Sequence, residues 1–412
     1  MKFALVNKYL YPKGGADIYC LRLAELLRRR GHQVVLMGME PPAGEDLPRG
    51  RTYTVSRVDY QEDHRLAEQV GIAGRMLYSR ECARTMGRLI RRERPDIVHF
   101  HNIYHQLSPS IIHAAAAMGV PTLMTLHDYK ITCAVYSHYR AGQVCEACRG
   151  GRFYNATRYR CVKGSLARSL LGSLEMYLHR GFLRSYEKLD ARISPSRFLR
   201  GKLRELGFRA PIQWQPYFVD VEDFTPRYDW DGRQIVYFGR LSHEKGLPTL
   251  LNAVKGLDVH LRIVGRGPRE EALREKVDEE GIGNVSFEGF MYGSDLREMV
   301  RSCMFPVVPS EWYDNNPLVI YESFAMGKPV VGADLGGIPE LIGQDRGRCF
   351  RAGDADGLRA VIRDFVDDPE AIRTMGWNAR GYAERNFAPD VHYERLMGVY
   401  ERIMGRCEEG AP

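Results

Sequence analysis

The stretch Ser310-Glu311-Trp312-Tyr313-Asp314-Asn315-Asn316-Pro317-Leu318-Val319-Ile320-Tyr321-Glu322-Ser323-Phe324-Ala325-Met326-Gly327-Lys328-Pro329-Val330-Val331 leaves a fold few choices. It reads as strand end, loop, helix, stop, strand. Phe305 to Pro309 is a short apolar run of the buried-strand type. Asn316 is placed to cap a helix with its side-chain oxygen, and Pro317 suits the first helical position, where its missing N–H is not needed. Gly327 can take a left-handed conformation just past the helix, and Pro329 stops its continuation. The amides of Leu318 and Val319 should then lie in a first helical turn without backbone partners, a natural anion site at the positive end of the helix dipole. Glu322 follows Leu318 by four residues and shares its face one turn deeper. A carboxylate there suits vicinal hydroxyls, such as those of a ribose.

The rest of the chain repeats the strand–turn–helix pattern. Phe3 to Val6 is a buried strand type, followed by Lys13-Gly14-Gly15-Ala16 and an amphipathic helix over about 16–30. Val34 to Met37 is the next strand, so the chain opens on a βαβ unit with glycines at its first turn. Two adjacent glycines allow close approach of a ligand, or simply a tight turn. Residues 40–75 carry no clear pattern. A basic helix is expected over about 76–94, strands over 96–101 and 121–126, and a helix over 107–118 between them. His101, His127 and Asp128 fall at strand ends, where doubly wound sheets bind ligands. Gln234 to Phe238, Val259 to Val264 and Val285 to Met291 continue the pattern. Gly265-Arg266-Gly267 closes one of these strands, but Glu270 stands where a dinucleotide-binding fingerprint needs glycine.

Asp314, seven intervening residues and Glu322 resemble the signature of the retaining GT-B glycosyltransferases of glycosyltransferase family 4 (glycosyl transferases group 1), with Asp where the family usually has Glu. A second element sits upstream, Phe238-Gly239-Arg240-Leu241-Ser242-His243-Glu244-Lys245-Gly246. The resemblance covers nearly the whole chain. It implies an α/β GT-B fold, two doubly wound Rossmann-like domains facing each other across a cleft. The expected organisation is an acceptor-side domain over 1–219 with a Cys-rich insertion over 133–161, a donor-binding domain over 220–388, and a helix over 389–412 crossing back. It also implies a retaining, metal-independent transfer of a hexosyl-type sugar from a nucleotide-sugar to an acceptor hydroxyl. Arg240 and Lys245 would grip the donor diphosphate, with Gly239, Gly265, Phe290, Asn315, Asn316, Pro317, Leu318, Val319 and Glu322 around the donor, and Gly14 and Gly15 facing it. Asp314 would hold sugar hydroxyls, and His127 with Asp128 would be catalytic. The donor expected is a UDP-sugar first and a GDP-sugar second.

No acidic triplet reads as a metal loop, and the two cations with the helix amides supply potential that replaces a catalytic metal. Cys133, Cys145, Cys148 and Cys161 make C-x11-C-x2-C-x12-C, a spacing that suits a structural zinc site, with unpaired thiols as the alternative. Residues 1–190 carry 29 Lys/Arg against 17 Asp/Glu, a net +12, while 191–412 carry a net −5. A basic first half points to an anionic partner, such as a membrane surface or a lipid-linked or saccharide acceptor, or else to a solvated face. Residues 163–188 read as a helix with an apolar stripe of Leu166, Leu170, Leu174, Leu178 and Phe182. Core packing is its ordinary reading and interfacial membrane binding the sharper one. A chain that opens on a strand and lacks a spanning segment is expected in the cytoplasm, at the inner face of its membrane. Surface-polysaccharide, lipid-linked oligosaccharide or glycolipid synthesis is the expected setting. The rivals are a GT-B-like sugar-nucleotide epimerase or phosphorylase and a zinc-bearing, basic nucleic-acid-binding protein; the Arg/Lys pair and the acidic second half argue against them.

Overall fold

The structure is a computed structural model that describes residues 1–58 and 66–409. The chain divides into two compact units. The first comprises Met1–His138, Glu146–Gln215 and the chain from Tyr393 on; the second comprises Tyr139–Cys145 and Pro216–His392. Residues 410–412 of the expected C-terminal segment lie outside the described residues.

The first unit is built on seven parallel strands: β1 (Lys2–Val6), β2 (Gln33–Met39), β3 (Thr52–Val55), β4 (Ile97–Phe100), β5 (Thr122–Thr125), β8 (Ala191–Ser194) and β9 (Gln213–Trp214). Their spatial order is β3-β2-β1-β4-β5-β8-β9. Two short strands, β6 (Tyr139–Arg140) and β7 (Gln143–Val144), form an antiparallel hairpin that belongs to the second unit. The central strands are buried and largely apolar, as a sheet covered on both faces requires, and His99 within β4 is held by Thr125. Phe3, Ala4, Leu5, Val98, Phe100, Leu123 and Met124 are fully buried. The strand order reverses between β1 and β4, which opens a crevice beyond their carboxyl ends.

The second unit repeats the plan. β10 (Gln234–Phe238), β11 (His260–Val264) and β12 (Val285–Gly289) form one parallel sheet, and β13 (Val307–Val308), β14 (Val330–Ala333) and β15 (Gly347–Phe350) another. A parallel bridge between Val236 and Pro306 joins β10 to the start of β13. The order is therefore β12-β11-β10-β13-β14-β15, and the switch point lies between β10 and β13.

Three local expectations change. The basic helix expected over 76–94 starts later, as Arg80–Glu93, because residues 76–77 close a separate helix, Leu66–Leu77. Ser79 starts the second by accepting the Cys82 N–H on its side-chain oxygen, which makes the break a cap. The helix expected over 107–118 is likewise split, into Tyr104–Leu107 and Ser110–Ala116, with Ser108 at φ +55° between them. Strand β3 and all but the last two residues of the helix Leu66–Leu77 fall within 40–75, where the sequence carries no legible pattern.

Candidate active site

In the second unit, the chain leaves β10 at Phe238 and turns through Gly239. The Leu241 N–H donates to the Arg266 carbonyl at 3.0 Å, and the Tyr237 hydroxyl donates to the Arg240 carbonyl at 2.7 Å. The backbone of this loop is thus held from both sides, while the Arg240 side chain is exposed and has no carboxylate partner among the described residues. A 3-10 turn over His243–Lys245 follows, closed by Gly246 at φ +68°. A Cβ at Gly246 would lie 1.9 Å from the Pro309 carbonyl oxygen, so only glycine lets this loop meet the loop after β13. Gly265, at φ +139°, serves the same purpose: its Cβ would lie 1.9 Å from the Gly239 carbonyl oxygen. The turn after β11 is therefore packed against the loop after β10.

That contact brings two charges together. Lys245 Nζ lies 2.5 Å from Asp314 Oδ2, and the Ser310 hydroxyl donates to the same oxygen at 3.0 Å. The Lys245 ammonium also sits 5.4 Å from the centre of the Trp312 ring. Glu311 is not part of this pair; it accepts from the Thr249 hydroxyl at 2.5 Å. Asp314 is buried, and its backbone carbonyl accepts the Gly337 N–H at 2.8 Å.

The helix that follows runs Leu318–Ala325. Its cap differs from expectation. Pro317, with φ −68° and ψ 119°, is the N-cap residue, and Leu318 is the first helical one. No side chain caps the helix, since proline at the N-cap carries no acceptor, and the Asn316 amide nitrogen donates to the Tyr321 hydroxyl at 2.8 Å. Leaving the first turn without a side-chain cap keeps its amides open to an external acceptor. Asn315, Asn316 and Pro317 are buried, whereas Leu318, Val319 and Glu322 are half-buried. Phe290 follows β12, exposed, with its ring 6.1 Å from that of Tyr292. The acidic triplet Asp354-Ala355-Asp356 is a helix cap, since Asp354 accepts the Gly357 N–H at 2.9 Å. One contact escapes sequence reasoning. The Tyr139 hydroxyl of the hairpin lies 2.9 Å from His243 Nδ1, two residues before Lys245. Burial, with Glu311 and Glu244 behind it, pushes that phenol up to about 12.

In the first unit, Gly14, extended at φ −161°, precedes the helix Gly15–Arg29, and both glycines are exposed. Asp17 in its first turn accepts from the Asn7 amide at 2.8 Å. His101 and His127 end β4 and β5. His101 Nδ1 lies 3.1 Å from His127 Nε2, and the two rings are stacked with Tyr19 edge-on to both. Asp128 accepts the Lys130 N–H at 2.9 Å, and burial raises its carboxyl against that bond and one from Tyr104. Lys8, not singled out by sequence reasoning, joins this group. Burial lowers its ammonium, opposed by Asp128 and Asp17. Beneath lies a second unforeseen cluster. Lys130 Nζ lies 2.7 Å from Glu175 Oε2, with both side chains almost fully buried, and His105 Nδ1 is 3.1 Å from the same carboxylate. Burial would raise Glu175, but Lys130 and His105 hold it down at about 2.

The histidines carry a prediction. Burial lowers His101 to about 3, and burial with His101 and Lys8 lowers His127 well below 6.5. Below pH 6.5 the unfolded chain takes up protons that these folded imidazoles refuse, so stability rises with pH and is lost on acidification. Each should cost up to about 1.4 kcal/mol per pH unit below 6.5. Thermal unfolding from pH 8 to pH 5 should show a falling melting temperature that begins near 6.5; a flat profile down to pH 5 would contradict neutral buried imidazoles.

The zinc expectation is not met. Among the described residues, no three His, Cys, Asp or Glu side chains are grouped so as to hold a metal ion. Cys133 is buried, while Cys148 and Cys161 pack against the apolar cluster of Ala134, Phe153, Ala156 and Met176. Among the described residues, no helix is long and apolar enough to cross a membrane.

Comparison with known proteins bears on the whole arrangement. Residues 13–223 match the family model for Glycosyltransferase Family 4, and residues 222–382 match that for Glycosyl transferases group 1. The chain is 26% identical to a phosphatidyl-myo-inositol mannosyltransferase of Mycolicibacterium smegmatis, across 98% of this chain and 95% of that one. It is 26% identical to a GDP-mannose-dependent alpha-mannosyltransferase of Mycobacterium tuberculosis, across 98% of both. Among solved structures, a sucrose-phosphate synthase from Thermosynechococcus elongatus superposes with a TM-score of 0.73 at 18% identity, covering 98% of this chain and 99% of that one. The fold is GT-B. With one family model spanning residues 13–223 and a second taking up at 222, over two switch-point crevices of the kind such enzymes use, the chain belongs to Glycosyltransferase Family 4 and transfers sugar from a nucleotide-sugar donor.

Proposed function

We propose that the second unit, residues 220–388 in essence, binds the donor, and that the first, 1–219 with the returning C-terminal helix, receives the acceptor. The observation that carries this reading is the meeting of Lys245, Asp314 and the uncapped Leu318–Ala325 helix at the β10/β13 switch point. Arg240, Lys245 and the amides of Leu318 and Val319 take the diphosphate. Glu322 accepts from the ribose hydroxyls. Gly239 and Gly265 keep the surrounding backbone close, and Phe290 lies alongside the base. Asp314 receives sugar hydroxyls and also fixes the Lys245 ammonium. Negative charge that develops on the leaving diphosphate meets cations already in place. The transfer retains anomeric configuration. The acceptor hydroxyl attacks on the face the phosphate leaves, and a phosphate oxygen takes its proton. His127 and Asp128, backed by Lys8, serve the acceptor side, with Gly14 and Gly15 at the first turn of the same unit.

The relatives support a choice of donor and acceptor. Two that match over nearly the whole chain are named mannosyltransferases, one of them GDP-mannose-dependent, so GDP-mannose moves ahead of the UDP-sugars. The acceptor is a membrane-associated lipid or saccharide, approached by the basic first half of the chain. The Glu322→Ala variant tests the donor site. Loss of hydrogen bonds to a charged acceptor costs about 1.5–3 kcal/mol, so Kd for GDP or UDP should rise about 10- to 100-fold by calorimetry. Unchanged nucleotide affinity would remove Glu322 from the ribose.

A further inference from the structure

The helix Leu166–Met176 is turned inside out. Its polar and small residues, Ser169, Gly172, Ser173 and Glu175, are buried. Ser169 accepts the Val162 N–H at 2.9 Å, and Ser173 donates to the Phe153 carbonyl at 2.8 Å. Glu175 is committed to Lys130. The leucines face outward: Leu166 is 55% exposed, and Leu170 and Leu174 are 49%. A π-helical turn, Tyr177–Phe182, carries the helix on to Phe182, which is 84% exposed. Tyr154, whose N–H donates to the Tyr177 hydroxyl at 3.1 Å, is also exposed. A globular helix normally does the reverse, with its apolar stripe toward the core. Core packing, the ordinary reading of this stripe, is therefore corrected. Neighbouring leucines and aromatics exposed together mark a surface that something covers.

The charges around it say what. From residue 147 to 174 there are six Lys/Arg and no Asp or Glu. Arg152, Arg158, Arg160, Lys163 and Arg168 are all exposed. An apolar strip that runs into aromatics at one end, set in a field of one positive sign, complements the interface of an anionic bilayer, where apolar side chains enter the acyl boundary and cations meet headgroups. We propose that Leu166, Leu170, Leu174 and Phe182, with the arginines of residues 152–168, form a docking surface for an anionic lipid membrane. This rests on the membrane-associated acceptor proposed above and assigns it a place in the fold. The strip lies on the Cys-rich insertion and the helix after it, the part of the chain that follows Asp128.

The test is co-sedimentation of the full chain with vesicles of phosphatidylcholine alone and of phosphatidylcholine mixed with phosphatidylglycerol. Wild type should bind the mixed vesicles and lose them at high salt. Leu170→Glu should lower the partition constant on the order of tenfold, since burial of one leucine is worth at least that factor. Arg158→Gln/Arg160→Gln/Lys163→Gln should lower it on mixed vesicles and leave neutral ones unaffected. Both variants should keep wild-type affinity for GDP and UDP, which separates loss of docking from loss of the donor site and reports that the protein is folded. Equal binding of wild type and variants, or equal binding to neutral and anionic vesicles, overturns the proposal. A dimer in solution that Leu170→Glu dissociates also overturns it, because a second copy would then be the cover.

Discussion

Lys245→Ala should reduce kcat by about 10²- to 10³-fold while changing KM for the donor far less, the scale on which a single preorganised charge-stabilising donor acts. The ammonium is placed by Asp314 at 2.5 Å and by the Trp312 ring, so it is in position before any charge develops. The diphosphate carries more charge on its bridging side when the sugar bond has broken than when it is intact. A group that acts on that difference lowers the barrier more than it tightens the ground state. Steady-state kinetics with GDP-mannose, or with whichever donor the protein turns over, would read both constants. A pure KM effect would place Lys245 in ground-state binding only. Lys245→Arg should restore part of the rate, because the charge returns in a different geometry. A kcat effect that Arg does not relieve at all would mean that the mutation acts by freeing the Asp314 carboxylate rather than by removing a cation from the phosphate.

The largest expected loss of stability lies elsewhere, at Glu175→Leu. Removal of one partner from a buried pair leaves an uncompensated charge and costs about 3–5 kcal/mol. Lys130 is 1% exposed and Glu175 2%, so no water is at hand to take over. For a unit of this size that corresponds to a melting temperature lower by on the order of 10 °C. Lys130→Met should cost a similar amount. The double variant Lys130→Met/Glu175→Leu should recover most of the loss, since two apolar side chains of similar volume replace two charges together. Additive losses in the double variant would show that the two residues stabilise the fold independently. Acid should have a parallel effect. Glu175 sits at about 2 in the folded chain, below the ordinary carboxylate value, so its contribution is present above about pH 4.5 and fades as pH falls toward 2.

Residues differ in how far the sequence exposes them. The turn of the β10 loop is legible because its glycines are close together: Gly239, Arg240, Lys245 and Gly246 stand within eight positions, and the turn geometry follows from the glycines. The start of the Leu318–Ala325 helix is misplaced by one residue, since nothing local reveals that the Asn316 amide is taken by Tyr321. The pair Lys130–Glu175 spans 45 positions and has no pattern at all. The leucines of 166–174 show a different limit. Spacing states which face of a helix is apolar, but only the partners of the other face, here Ser169, Ser173 and Glu175, decide which way it turns. The cysteines show the reverse limit: two of the four, Cys148 and Cys161, pack against a small apolar cluster, and Cys145 falls in the other unit, neither of which a spacing can state.

The helix Pro389–Glu409 begins in one unit and ends in the other. Tyr400 on it is fully buried against Phe3, ring centres 4.9 Å apart, and its hydroxyl lies 2.8 Å from His99 Nδ1 in the middle of the first sheet. Strand β1 therefore waits for a tyrosine made nearly four hundred residues later. Most of the second unit, Pro216–His392, is already complete by then. Synthesis order and assembly order are reversed: the half of the enzyme that is made first is finished last, and a nascent chain stalled before Tyr400 would carry an unsealed first sheet into the hands of chaperones and proteases.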